Sequence, residues 1–341
     1  VPQHKRGAKA IPTSLVIAAF FGFALVVYLI VDSGAAEVAH AMLVIGWGLL
    51  PITLFHFVPL FFSALSWREL LPLSSRPDVI SVTWIRWIRE SINALLPVAG
   101  VGGDIASARL AHLRGVPGTQ AAASMVVDTT VGVVTQLAFV MAGVTLLVIR
   151  STEHAALQAA WTELIGIGVL VAAVAAFVLL QHRSMFGRFV KLARGLLPEK
   201  WLSGFAGNAS AIDDAVVAGY RSGFSFLRAN LLRLVGWAAG AGEIWLVMQF
   251  LNQPLGVVDA FILESLTSGV RAAAFMVPGA LGALEGSFVL FGAVLGLPAE
   301  TALAISLSKR VREVILGLPG LFVWHWVEGH YLLRRSEDKA S

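Results

Sequence analysis

Six stretches of this sequence stay apolar for long enough to cross a lipid bilayer, at about 11–31, 38–65, 119–149, 160–181, 230–251 and 301–327. A spanning helix needs roughly 20 such residues. In lipid the backbone polar groups must find partners within the protein, so each stretch predicts an α-helix. A disordered chain is excluded and a soluble globule disfavoured by the same counts, since 57% of residues are hydrophobic and only 13% charged, with a mean hydropathy of +0.79. The first stretch is longer than a signal-peptide core and carries no cleavage signature, so it reads as a retained helix. The expected fold is an all-α polytopic membrane protein.

Two further apolar stretches, about 79–114 and 257–297, are interrupted in a similar way. The first runs from Glu90-Ser91 to Pro97, then through Gly100, Gly102 and Gly103 to Asp104. In the second, Glu264-Ser265 leads to Pro278, then Gly279, Gly282 and Glu285. In both, the acid follows the proline by seven residues. Proline and glycine break helices, and irregular backbone at membrane depth persists only where protein or a watered cavity surrounds it. Each stretch therefore predicts a re-entrant helical hairpin. Asp104 and Glu285 fall where a helix restarts, and an acid there is favoured by the helix dipole.

Charge orients the chain. With the N-terminus inside, segments 1–10, 66–118, 182–229 and 328–341 carry 19 of the 25 Lys and Arg, whereas the outside loops carry only Arg150. Cytoplasmic loops collect Lys and Arg, so both termini are expected in the cytoplasm. The first hairpin then enters from the cytoplasmic side and the second from the outer side. Residues 1–149 and 150–341 become two halves of opposite orientation, the plan of many secondary transporters. The alternative is eight unrelated helices, two of them kinked. Segment 182–229 places Arg183, Arg188, Lys191 and Arg194 among Phe186, Phe189 and Leu192 and reads as a surface amphipathic helix. Trp67, Trp84, Trp87, Trp324 and Trp326 read as interfacial anchors.

Ionisable residues within the apolar sequence point to function. A charge at the bilayer centre costs about 2.5–3.5 kcal/mol on insertion scales, so such groups pair or face water. Arg86, Arg89, Glu90, Asp104, Arg109 and Asp128 fall in the first half. The second holds Glu243, Glu264, Arg271, Glu285, Lys309, Arg310, Arg312 and Glu313. A guanidinium can hold a phosphate bidentately, which makes the arginines candidates for a lipid headgroup. No nucleophile or catalytic motif stands out. The chain has no cysteine, and its histidines are scattered, so neither a cofactor nor a metal site is expected. The basic residues lie at helix flanks, which argues against nucleic acid as a partner.

At these residues the chain resembles a known family. Glu90-Ser-Ile-Asn-Ala-Leu-Leu-Pro97 through Gly103-Asp104 and Arg109 is similar to the first signature of the lysylphosphatidylglycerol synthase transmembrane-region family. Val277-Pro278-Gly279 through Glu285-Gly286, with Ser306-Leu-Ser-Lys309-Arg310, resembles the second. The latter motif and Leu316-Gly-Leu-Pro-Gly320 look closest to a hopanoid-biosynthesis-associated subfamily. In the best-known members this region is a lipid flippase joined to a soluble aminoacyl-transferase domain. The sequence stops at Ser341 without such a domain, so the resemblance implies translocation rather than aminoacyl transfer. The family often places an arginine after the acid equivalent to Asp128; Thr129 follows here, leaving Asp128 without an evident partner.

The expectation is a multi-pass protein of the bacterial inner membrane that moves an amphipathic lipid, hopanoid-related or a phospholipid, between leaflets. Arg109, Arg271 and Arg310 would receive an anionic or polar headgroup. Glu90, Asp104, Asp128, Glu264 and Glu285 would organise the cavity between the hairpins. Two other classes compete: a membrane-embedded lipid-modifying transferase, and a scaffold that docks lipid-biosynthetic enzymes through segment 182–229.

Overall fold

A computed structural model describes residues 13–96, 102–154, 216–219, 223–274 and 277–337. Among these residues every regular element is helical. The longer helices are α1 (Thr13–Asp32), α2 (Ala35–Ile45), α3 (Leu49–Phe55), α4 (Phe57–Glu69), α5 (Val79–Leu95), α6 (Gly102–Leu113) and α7 (Gly118–His154). They continue as α8 (Gly223–Phe250), α9 (Val257–Ala273), α10 (Ala283–Val294) and α11 (Ala299–Glu337). Among the described residues, three helical stretches are long and apolar enough to cross a membrane: Ala35–Glu69, Gly118–Arg150 and Gly223–Phe250. Helix α1 coincides with the first predicted span. Helix α11 covers the last but carries four charges between residues 309 and 313. The predicted span 160–181, and segment 182–229 apart from 216–219 and 223–229, lie outside the described residues.

The second predicted span is not one uninterrupted helix. Gly46, with a φ of +44°, opens a 3-10 turn over Gly46–Gly48, and a second interruption falls at His56. The sequence explains both. Pro51 and Pro59 each occupy the first turn of the following helix, where a missing N–H is tolerated. Because Pro59 has no N–H, the carbonyl of Phe55 lacks its usual partner four residues on, and the helix is interrupted beside it.

Both broken stretches fold as helix, break, helix. Each begins with a 17-residue helix, α5 or α9, and continues with a 12-residue helix, α6 or α10. Asp104 and Glu285 are each the third residue of the second helix. The packing partners also correspond. Helix α5 packs on α4, α6 and α11, while α9 packs on α8, α10 and α7. Two apolar cores result. One joins Trp67, Ile85, Ile88, Ile92, Leu110 and Met125; the other joins Ile52, Ile244, Met248, Leu263, Phe288 and Ile305. The long helices cross between them. Helix α7 starts in the first core and buries Leu147 in the second, whereas α11 starts in the second and packs Leu321 and Val327 on the first.

The serines of the two Glu-Ser pairs seat these crossings. Ser91 of α5 lies against Gly320 of α11, and Ser265 of α9 lies against Gly143 of α7. A Cβ on Gly320 would come within 2.8 Å of the Ser91 Cβ, and one on Gly143 within 2.7 Å of the Ser265 Cβ. Both hydroxyls bond back to their own helix, to the carbonyls of Trp87 and Ile262, each at 2.8 Å. Small residues let membrane helices approach in this way. Gly143→Ala and Gly320→Ala are each expected to cost about 1–3 kcal/mol by overpacking. Ser265→Gly and Ser91→Gly in the respective backgrounds restore the loss. Melting temperatures of the solubilised variants test this; an unchanged temperature in either alanine variant refutes the contact.

Candidate functional site

A polar cavity of about 520 Å³ lies where α4, α5, α7, α8, α9 and α11 meet. Six cationic side chains line it: Arg86, Arg89, Arg233, Arg271, Lys309 and Arg312. So do five carboxylates, those of Glu90, Asp128, Glu243, Glu264 and Glu313, together with His56. The rest of the wall mixes polar groups such as Gln136 with apolar ones such as Leu60, Trp237 and Phe288.

The charges form two networks. Asp128 on α7 is fully buried and is the centre of the first. It accepts hydrogen bonds from Arg86 (2.7 Å), Arg89 (3.1 Å) and Arg233. Arg89 also pairs with Asp104, and the Ser63 hydroxyl accepts from Arg86 (2.9 Å) and Arg233. Thr129 follows Asp128 in the sequence, yet three arginines from α5 and α8 reach its carboxylate. The Nε atoms of Arg86 and Arg233 are buried without a hydrogen-bond acceptor among the described residues.

Helix α11 organises the second network, because its successive residues point in different directions around the axis. Lys309 pairs with Glu264 of α9, and Arg310 with Glu285 of α10 at 2.9 Å. Arg312 pairs with Glu243 of α8. Glu313 takes Arg271 at 2.5 Å and Arg310 at 3.2 Å. His56, at the α3–α4 junction, has Glu243 2.6 Å from Nδ1 and Glu90 3.1 Å from Nε2.

Of the residues singled out in the sequence, Glu90, Asp128, Glu264 and Arg271 line the cavity. Asp104 stands behind Arg89, and Glu285 and Arg310 form a pair beside the second break rather than in the wall. Arg109 is not in the wall: its Nε donates to Glu328 of α11 at 2.7 Å. Five residues separate Arg109 from Asp104, so the two point about 140° apart on α6. Gly279 and Gly282 adopt φ of +62° and +77° at the second break. The carboxylate of Glu285 accepts a hydrogen bond from the Gly282 N–H at 2.7 Å, capping α10. Gly102 begins α6, and Gly103 after it lies in close contact with α5, where a Cβ would meet the Arg89 carbonyl at 2.5 Å. Pro278 lies in the 3-10 turn that starts this second break, while Pro97 and Gly100 lie outside the described residues. Trp67 is fully buried and donates to the Ser124 hydroxyl at 3.1 Å, so it is a core residue and not an interfacial anchor. Trp87 lines the cavity.

Over residues 14–320 the sequence matches the family described as Lysylphosphatidylglycerol synthase TM region. The chain belongs to that family. As a member of the lysylphosphatidylglycerol synthase transmembrane-region family, it is a membrane protein of lipid metabolism or transport. Comparison with curated proteins and with solved structures found no match. Sequence reasoning passes over two ionisable wall residues, Arg233 and His56. The proline three residues after His56 was the available signal, since it interrupts an apolar run.

Proposed function

We propose that this protein moves a polar-headed membrane lipid between leaflets, acting as a transporter rather than an enzyme. The observation that carries the reading is the cavity, where six cations and five carboxylates face one space among helices long enough to span a bilayer. Such a wall can replace the water around a headgroup, while the acyl tails stay in the bilayer. The Nε donor of Arg233, buried without an acceptor among the described residues, suits a phosphate oxygen, because a buried donor without a partner is costly unless a ligand meets it, whereas the Nε of Arg86 faces Glu90 at 4.0 Å. Arg271, whose side chain is 39% exposed, is the wall arginine with the freest access. Arg109 and Arg310 have no direct place in this scheme.

Correspondence between the two helix-break-helix units supports halves of opposite orientation with re-entrant hairpins. Such halves can exchange roles to open one site to either side. The Lys and Arg distribution supports cytoplasmic termini, and the family supports a bacterial inner-membrane setting. The motif around Pro278 favours a hopanoid-related lipid or a phospholipid.

Purified protein in liposomes should speed the transbilayer movement of tail-labelled phosphatidylglycerol at least about tenfold over empty vesicles, a change of about 1.4 kcal/mol in barrier. The lipid's mass should not change. A modified lipid formed without movement sinks the transport reading and favours a transferase.

A further inference from the structure

We propose that His56, held between Glu90 and Glu243, is a proton-binding site whose occupancy is coupled to lipid movement. This deepens the transport reading and rests on it. His56 sits at the interruption between α3 and α4, with each ring nitrogen facing a carboxylate. Glu90 comes from α5 and Glu243 from α8, so the ring joins these two helices. The third partner makes the site two-valued. An N–H of Arg312 on α11 also reaches Nδ1, at 2.7 Å.

One atom cannot serve both neighbours. As an imidazolium, His56 donates from Nδ1 to Glu243 and from Nε2 to Glu90, and Arg312 is left to the carboxylates of Glu243 and, at 3.8 Å, Glu313. Once neutral, with its proton on Nε2, the ring still donates to Glu90, but Nδ1 accepts from Arg312 and no longer holds Glu243. Gain or loss of one proton therefore exchanges a contact to α8 for a contact to α11. The other charges of the wall are Arg86 and Arg89 of α5, Asp128 of α7, Arg233 of α8, Glu264 and Arg271 of α9, and Lys309 and Glu313 of α11. With Glu90, Glu243 and Arg312 they give nearly equal numbers of each sign, so the ring's own charge alters the balance of the wall. The unperturbed pKa of histidine, about 6.5, suits it to exchange protons near neutrality. Histidine–carboxylate chains within membranes serve as proton relays in pumps and transporters. A metal ion fits poorly, because the carboxylates sit at opposite edges of the ring and a guanidinium crowds Nδ1; no metal-binding group of acids and histidines occurs among the described residues.

The test uses the full chain in liposomes with tail-labelled phosphatidylglycerol. Wild-type movement should vary with pH between 5.5 and 8, and a gradient of about 2 pH units should change its rate roughly fivefold or more. His56→Gln, which cannot titrate, should give a flat profile and no response to the gradient. The side chain of Glu90 is 38% exposed, so Glu90→Gln is the safer variant for folding. It should move the wild-type midpoint to lower pH, because the imidazolium loses a counter-charge. Nitrogen-15 spectra of histidine-labelled protein, compared with His56→Gln, read His56 directly. They should show it passing from imidazolium to neutral ring as pH rises.

A His56→Gln variant with the wild-type pH profile and gradient response overturns the coupling. A His56 signal fixed in one form from pH 5 to 8.5 overturns the proton site itself. A wild type that moves no lipid removes the transport reading and the coupling, while the spectra still decide on the site.

Discussion

Asp128→Ala is expected to cost about 3–5 kcal/mol, the usual penalty for stranding a buried charge by removing its partner. The carboxylate is the shared acceptor for Arg86, Arg89 and Arg233, and it is wholly buried. Without it, three guanidinium groups face one another across a small space: Arg89 keeps the Asp104 carboxylate, Arg86 has Glu90 only at 4.0 Å, and Arg233 keeps no carboxylate among the described residues. The variant should yield little monodisperse protein. Asp128→Asn keeps the shape and part of the hydrogen bonding, so it should fall between the two. Extraction yield and melting temperature check both changes. Wild-type values for Asp128→Asn would show that another anion, such as a lipid phosphate, holds the arginines together.

The pair formed by Glu285 and Arg310 gives the second large effect and separates capping from charge. Glu285 does two things: it bonds the Gly282 N–H and it neutralises Arg310. Glutamine at this helix position can still reach back to the N–H. Glu285→Ala therefore loses both contributions and is expected to cost about 3–5 kcal/mol. Glu285→Gln should lose mainly the charge. Arg310→Gln leaves Glu285 capping α10 but without its countercharge. The double variant Glu285→Gln/Arg310→Gln should recover stability to within about 1 kcal/mol of wild type, because no lone charge remains. Transport in liposomes is expected to recover with stability in the double variant, because Arg310 lies outside the cavity wall. Wild-type transport in both single variants and the double would leave Glu285 as a helix cap only.

Much of the architecture could be read from the sequence because it follows from local composition. Twenty apolar residues identify a helix wherever its neighbours lie, and proline with glycine marks a break without knowledge of what surrounds it. The correspondence between Asp104 and Glu285 was visible for the same reason. Partners were less accessible. Lys309, Arg310, Arg312 and Glu313 fall within five consecutive positions of one helix, yet they reach helices α8, α9 and α10 in different directions. Spacing shows that such residues diverge, but it does not say which acid meets which base. Arg109 shows the converse error. It follows the first break as a cavity residue should, yet helical rotation turns it toward Glu328. His56 had no ionisable neighbour in sequence, since its partners lie 34, 187 and 256 positions away.

The order of pairing along the chain has a consequence for biogenesis. Synthesis proceeds from the N-terminus, so Glu243, Glu264 and Glu285 are made before Arg312, Lys309 and Arg310 exist. Three acids of α8, α9 and α10 thus wait for one helix, and that helix brings all three counterions together. Until α11 is inserted, the second unit is electrically unfinished. Its arrival neutralises that unit in a single step, and the same helix carries Leu321 and Val327 onto the first core. Completion of the last helix is therefore also the event that fastens the late-made part of the protein to the early-made part.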